Sequence, residues 1–78
     1  MKLDQQTLDE LNVLLKFDLA NTQQGIKIHH DAEPNIINAV ERLFEKGLVD
    51  KSDGGYLTSM GRIATEHVQA LTNLINKT

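Results

Sequence analysis

The side chains of this chain best suited to metal chemistry are its histidines. Imidazole is a good zinc ligand, but His29 and His30 are adjacent, and adjacent residues of a strand point to opposite faces. No HxxxH or HExxH spacing is present in the sequence. The spacing therefore predicts no metal site. We expect His67, which lies between Ala64 and Leu71, to be a half-buried histidine with satisfied hydrogen bonds.

Nucleophilic catalysis has no support in the pattern of hydroxyl groups. Ser52, Thr58 and Ser59 lack a partnered base, and cysteine is absent. The glycine pair after Asp53 is not followed by the GK[ST] of a phosphate-binding loop. The sequence predicts a protein that is not an enzyme and carries no cofactor.

Nucleic-acid recognition is the chemistry that fits a predicted helix over residues 35–46. Asparagine pairs with adenine and arginine with guanine in the major groove, and Lys51, Lys27 and His29 are placed to meet phosphates. The outer face of this helix is predicted to present Asn35, Asn38, Glu41, Arg42, Glu45 and Lys46. The candidate DNA-binding residues are Asn35, Asn38, Arg42, Lys46 and Lys51. The alternative is an ordinary solvated helix face, and composition favours that alternative.

Length and charge limit the number of domains and the kinds of partner that this chain can have. The chain has 78 residues and a formal net charge of -3, which predicts one domain over residues 1–78 with a modest core. No cluster of lysine and arginine forms a strong basic patch, which argues against attraction to a polyanion. No apolar run reaches membrane-spanning length, and the start MKLDQQ lacks the apolar segment of a signal peptide. We therefore expect a cytoplasmic protein without membrane partners.

A helix end and a β-hairpin are predicted between Arg42 and Thr58. Gly47 can stop the helix in the left-handed conformation, with Leu48 folding back onto Leu43 as in a Schellman cap. Strands are expected near 48–52 and 56–58, joined by a three-residue loop Asp53-Gly54-Gly55 with a glycine at positive φ. That loop length points Val49 and Leu57 to one face of the sheet. Thr58 then caps the last helix.

Apolar periodicity predicts the helices that carry these elements. The first helix is expected to begin at Thr7, which forms a capping box with Glu10, and residues 18–24 are expected to be a loop. Pro34 favours the first turn of the second helix, and the last helix is predicted from Ser59 to Ile75. The predicted buried stripes are Leu8, Leu11, Leu14, Leu15 and Phe17 for the first helix; Ile36, Ile37, Val40, Leu43 and Phe44 for the second; and Met60, Ile63, Ala64, Val68, Leu71, Leu74 and Ile75 for the last.

The segment Gly25 to Glu33 allows two conformations. Ile26 and Ile28 alternate with polar residues, which favours a short strand that joins the hairpin in a three-stranded sheet. A helix from about 22 to 31, capped by Thr22, is the alternative, and it would complete a helix-turn-helix. Glycine and two β-branched residues argue against that helix.

Several motifs together resemble a family of small bacterial proteins of unknown function, often labelled DNA-binding protein or transcriptional regulator. The motifs are FDL at 17–19, GIKIH at 25–29, RLFEKGL at 42–48 and DGGYLT at 53–58, with Gly61 and Glu66-His67. RLFEKGLV followed by LTSMG also resembles the back half of MarR-type winged-helix regulators. That resemblance implies DNA contacts from the wing and the helix before it. The chain differs from that pattern in its shorter front half, its short wing loop and the lack of arginine at the wing tip.

The predicted fold is mainly α with a small antiparallel β-sheet, arranged as a winged helix: helix, short strand, helix, β-hairpin wing and long C-terminal helix. Two functions remain open. One is a DNA-binding transcriptional regulator that contacts double-stranded DNA through the 35–46 helix and the 48–58 wing. The other is a protein-interaction or dimerisation module without nucleic-acid binding. In either case we expect self-association through the C-terminal helix, as a homodimer with an interface of Val68, Leu71, Leu74 and Ile75.

Overall fold

The computed structural model describes residues 3–20 and 25–76 of the chain. Three helices and three short strands follow in the predicted order. They are α1 (Gln5–Leu14), β1 (Ile26–Lys27), α2 (Pro34–Glu45), β2 (Val49–Lys51), β3 (Gly54–Leu57) and α3 (Ser59–Ile75). The chain is therefore mainly helical with a small antiparallel sheet, as the sequence predicts.

The sheet has the strand order β1-β3-β2, with both neighbouring pairs antiparallel. Ile26 lies opposite Gly55 and Lys27 opposite Gly54. The predicted strand in this segment is confirmed, as is its union with the hairpin, and the alternative helix is wrong at residues 26 and 27. Its proposed cap, Thr22, lies outside the described residues, as does the second half of the loop predicted over 18–24.

The hairpin turn is placed one residue earlier than predicted. β2 ends at Lys51 and β3 begins at Gly54, so Ser52 and Asp53 form the turn. A bulge follows on the β3 side, where the carboxylate of Asp50 accepts a hydrogen bond from the Tyr56 backbone N–H at 2.8 Å. The turn is short because the bulge, rather than a longer loop, absorbs the extra residue.

The predicted face pairing of the hairpin is nevertheless confirmed. Val49 lies opposite Leu57, and Gly54 and Gly55 both have positive φ, at 124° and 74°. Both positions are in the region that glycine adopts readily. The two apolar side chains therefore point to the same side of the sheet, where Val49 is buried.

The helix ends on either side of the hairpin follow the predicted cap chemistry. The Leu48 N–H donates to the Leu43 carbonyl at 2.9 Å, and the Gly47 N–H donates to the Phe44 carbonyl at 3.0 Å. This is the double hydrogen bond of a Schellman cap. At the start of α3, the Thr58 hydroxyl accepts from the Gly61 N–H at 3.0 Å. Both predicted caps are confirmed.

The first helix begins earlier than predicted. Asp4, not Thr7, is its N-cap, and the Thr7 N–H donates to the Asp4 carboxylate at 2.8 Å. That backbone hydrogen bond holds the pKa of Asp4 below its ordinary value. The capping-box prediction was wrong because Asp4, about one turn earlier, is a better N-cap than Thr7.

The core lies where α1, α2 and the sheet meet. Its buried apolar residues are Val13, Leu14, Phe17, Ala39, Val40, Leu43 and Val49. Leu8 and Leu15 were predicted to be buried but are exposed. The inner face of α1 is rotated towards Val13, and it also buries Asp9 and Glu10.

The apolar stripes of the other helices also differ from prediction. Phe44 is exposed rather than buried on α2. On α3 the buried positions are Gly61 and Thr65, and only Ala64 and Val68 of the predicted stripe pack against the core. Most of the predicted α3 stripe is exposed to solvent. The outer side of α3 is therefore a candidate interaction surface.

Candidate interaction surfaces

Two predicted DNA-binding cations of α2 are directed at one carboxylate of α1. Glu10 is only 7% exposed, and its carboxylate accepts from the Arg42 Nε at 3.1 Å and also from the Lys46 ammonium. A second Arg42 nitrogen donates to the backbone carbonyl of Gln6 at 3.2 Å. A buried carboxylate requires such partners, because an unpaired charge would be costly to desolvate.

Asn35 is turned to the same side of α2. Its side-chain amide donates to the carboxylate of Asp9 at 3.3 Å, and the same oxygen accepts from Gln5 at 3.0 Å. Three of the five predicted DNA-binding residues therefore line a polar contact between α1 and α2, the helix pair that packs most extensively. No local pattern could indicate this, because each contact joins residues far apart in sequence.

The outward ridge of α2 carries different residues. Asn38, Glu41 and Glu45 are all exposed and follow one another at helical spacing along one face. This ridge offers one asparagine and two carboxylates. A phosphate backbone would meet acidic charge along it, which is unfavourable for groove insertion.

Beside this ridge lies an open cleft of about 370 Å³ between α2, the end of β1 and the hairpin turn. It is lined by Lys27, Ile28, His29, His30, Ile37, Glu41, Ser52 and Asp53. The Ile28 N–H donates to the Asp53 carbonyl at 2.8 Å, which fixes the turn against β1. Lys51, the remaining predicted DNA contact, is exposed on the adjacent strand.

The outer face of α3 is the most apolar exposed surface of the described residues. The exposed fractions on this helix are 65% for Met60, 53% for Ile63, 57% for Leu71, 73% for Leu74 and 69% for Ile75. His67 and Ala70 on the same side are also exposed. His67 is therefore not the half-buried histidine that its apolar neighbours predict.

The opposite side of α3 holds the helix to its own domain. Val68 is half-buried and packs against the core, so this predicted interface residue contacts its own chain. The amide of Gln69 donates to the Phe17 carbonyl at 2.8 Å, and Arg62 donates to the Leu19 carbonyl at 2.8 Å. Leu71, Leu74 and Ile75 lie away from these contacts.

Sequence reasoning missed the outer positions Met60, Ile63, His67 and Ala70 as a surface of their own. A signal for them exists, because residues 60, 63, 67, 70 and 74 are spaced by alternating steps of three and four. That is the spacing of the core positions of a coiled coil. The sequence predicts one broad stripe because the apolar residues of the core-facing side and of the outer face of α3 are neighbours at Ala64 and Leu71.

The family model described as "Family of unknown function (DUF5669)" matches residues 1–76. No curated protein and no solved structure matches the chain. Within residues 3–20 and 25–76, no three histidine or acidic side chains are grouped as a metal site. None of the helices in this part of the chain has the length and apolarity needed to cross a membrane.

Proposed function

The chain belongs to DUF5669, a family of unknown function, and we propose from its own surfaces that it is a protein-interaction module. The contact surface is the outer face of α3. The observation that carries this proposal is the row of large apolar side chains there, of which Leu74 is 73% exposed. Isolated exposed apolar residues are common, but contiguous ones mark interaction sites.

The size of this surface supports the proposal. Met60, Ile63, Leu71, Leu74 and Ile75 together expose on the order of 500 Å² of side-chain surface, near the upper end for the largest patch of a typical monomer. The outer face of α3 also lies on a single helix, and helices pack readily against a partner through positions at i, i+3 and i+4. A small domain gains stability when such a face is covered.

Photo-crosslinking inside cells tests this surface. A photoreactive phenylalanine analogue in place of Leu74 is expected to give a discrete protein adduct. The same analogue in place of Asn73, an exposed neighbour on another side of α3, is the matched control and should give none. The adduct from position 74 should also disappear when Ile63→Lys is added. Equal adducts from both positions, or none from either, would rule out the outer face of α3 as the contact surface.

DNA binding through α2 and the hairpin is the second candidate. The observation that favours it is the hairpin beside α2 with exposed Lys51, next to a cleft that contains Lys27, His29 and His30. In this proposal Asn38 and Arg42 contact bases, and Lys46 and Lys51 contact phosphates. Arg42 and Lys46 would first have to leave Glu10, and Asn35 would have to leave Asp9.

An NMR titration with mixed DNA duplexes at low salt tests the second candidate. Binding should shift the resonances of residues 35–51, and affinity should fall with salt. Lys51→Ala should reduce the slope of log affinity against log salt concentration by about one unit. Asn38→Ala, which removes a base contact, should instead weaken the preference for one DNA sequence over another. Glu45→Gln is a useful comparison, since removing a ridge carboxylate should strengthen binding. If no resonance in this region shifts, DNA is not a ligand.

A further inference from the structure

We infer that the partner of the outer face of α3 is a second copy of this chain, packed through a coiled-coil-like seam. This inference rests on the proposed function and names its partner. The seam consists of Met60, Ile63, His67, Ala70 and Leu74, with Leu71 at its edge. It is distinct from the face of α3 that packs on its own core.

The seam residues form a single exposed row along α3. Steps of three and four residues keep successive side chains on one narrow line along a helix. All five positions of this line are exposed, whereas Gly61 and Thr65 on another side are buried. A helix with two apolar faces can make two contacts, and within the residues that the structure describes only one of these faces is covered.

The row of seam residues on α3 can pack against the same row on a second copy. In a two-fold dimer the same patch is used by both subunits, and knobs spaced by three and four fit holes with the same spacing. Ala70 leaves room for a larger side chain of the other copy. A globular partner without a helix of this spacing would leave part of the row uncovered.

Charge does not oppose the pairing. The row itself carries no residue with a permanent charge, and its flank holds one cation and one anion, Arg62 and Glu66, 4.0 Å apart. Each copy has a formal net charge of -3. Repulsion of that size between exposed charges is largely screened at physiological salt.

The area of the seam fits a modest dimer. A standard interface buries roughly 800 Å² per partner. The large apolar side chains of the seam, Met60, Ile63, Leu71 and Leu74, expose on the order of 400 Å² before flanking polar atoms are counted. This area is at the low end for specific interfaces, so we expect a weak dimer. The central position is held by His67, a polar residue that weakens such a seam at one layer.

Sedimentation equilibrium between low and high micromolar concentration is the test. The wild-type chain should move from monomer to dimer. Leu71→Lys combined with Leu74→Lys should remain monomeric throughout. At low micromolar concentration, where the wild type is also monomeric, it should keep the wild-type melting temperature because both leucines are exposed. The control is Asn73→Lys combined with Asn76→Lys, which adds the same charge at exposed positions off the seam and should still dimerise. His67→Leu should tighten the dimer by roughly a hundredfold or more, as expected for burying one more apolar side chain on each of the two copies.

The outcomes separate this inference from the proposed function. A wild type and a His67→Leu variant that both stay monomeric overturn the second copy as partner. The proposed function would stand in that case if the crosslinked adduct from position 74 is heavier or lighter than two chains. A dimer that survives both lysine substitutions uses another surface and overturns the inference, whereas the crosslink from position 74 still decides whether α3 is a contact surface.

Discussion

The Nε of Arg42 on α2 lies 3.1 Å from the carboxylate of Glu10 on α1. This contact joins the two helices whose packing forms most of the core, and it gives the buried carboxylate a cationic partner. It also means that the arginine most suited to a guanine contact already has a ligand within its own chain.

Arg42→Ala should therefore reduce the stability of the protein. The expected loss in the free energy of unfolding is about 1–3 kcal/mol, because Glu10 loses its better-buried partner while remaining desolvated. Lys46→Ala should cost less, about 0–1 kcal/mol, since the lysine side chain is 56% exposed. Urea denaturation measures both, with Lys51→Ala as the control that should change nothing. Equal losses for Lys51→Ala and Arg42→Ala would contradict the assigned role of the ion pair.

Truncation to alanine should reduce the stability of the monomer at Val68 but leave it nearly unchanged at Leu74. Val68→Ala removes a side chain that packs on the core and should cost about 1–2 kcal/mol. Leu74→Ala removes a side chain that is 73% exposed and should change the stability of the monomer by less than about 0.5 kcal/mol. Thermal unfolding at low micromolar concentration, below association, is the measurement. A larger loss for Leu74→Ala would place Leu74 in the monomer core.

Gly61→Ala should destabilise the protein although it replaces glycine inside a helix. A Cβ at this position would collide with the backbone carbonyl of Leu48, and we expect a loss of about 1–3 kcal/mol from the forced shift. Ala70→Gly, at an exposed position of the same helix, provides the reference for helix propensity at about 1 kcal/mol. A melting temperature that rises in Gly61→Ala would show that α3 can move away from Leu48 at little cost.

Thr65→Val should stabilise the protein. Thr65 is fully buried, and within the described residues its hydroxyl has no hydrogen-bond partner. Removing an unsatisfied polar group of nearly unchanged shape should gain about 1 kcal/mol. The comparison is Thr72→Val, because the Thr72 hydroxyl donates to the Val68 carbonyl at 2.9 Å and its loss should give no gain. No change in Thr65→Val would mean that the hydroxyl finds a partner in solution.

Asp4 should make stability depend on pH in the acid range. Because the Thr7 N–H lowers the folded-state pKa of Asp4, the unfolded chain binds the proton more readily. The stabilisation is complete above the ordinary carboxyl pKa and is lost as the pH falls through the folded-state pKa. Asp4→Asn keeps an N-cap but cannot titrate, so its melting temperature should depend less on pH than that of wild type. A pH profile of Asp4→Asn that matches the wild type would contradict this role of Asp4.

Local chemistry explains which parts of the fold were predictable. The caps at Gly47 and Thr58, the proline at the start of α2 and the glycines of the hairpin each fix the conformation of a few neighbouring residues. The pairing of Val49 with Leu57 followed from alternation along the strands. These features depend on residues within a few positions of one another, so the sequence alone indicates them.

The surfaces were less predictable because they depend on contacts between distant residues. Periodicity identifies an apolar face but not whether another element covers it, so Leu74 was predicted within one broad stripe. The burial of Glu10 follows from its position under Arg42 and Lys46, more than thirty residues away. Three of the candidate DNA-binding residues, Asn35, Arg42 and Lys46, are directed at α1, which no pattern within the helix itself could indicate.

The carbonyl of Leu48 accepts a hydrogen bond from the Thr58 N–H at 3.1 Å, and it is also the atom that a side chain at Gly61 would strike. The end of α2, the base of the hairpin and the first turn of α3 thus converge on one peptide group. This junction ties the first turn of α3 directly to the base of the hairpin. A partner that binds α3 therefore also fixes the direction in which the hairpin tip points.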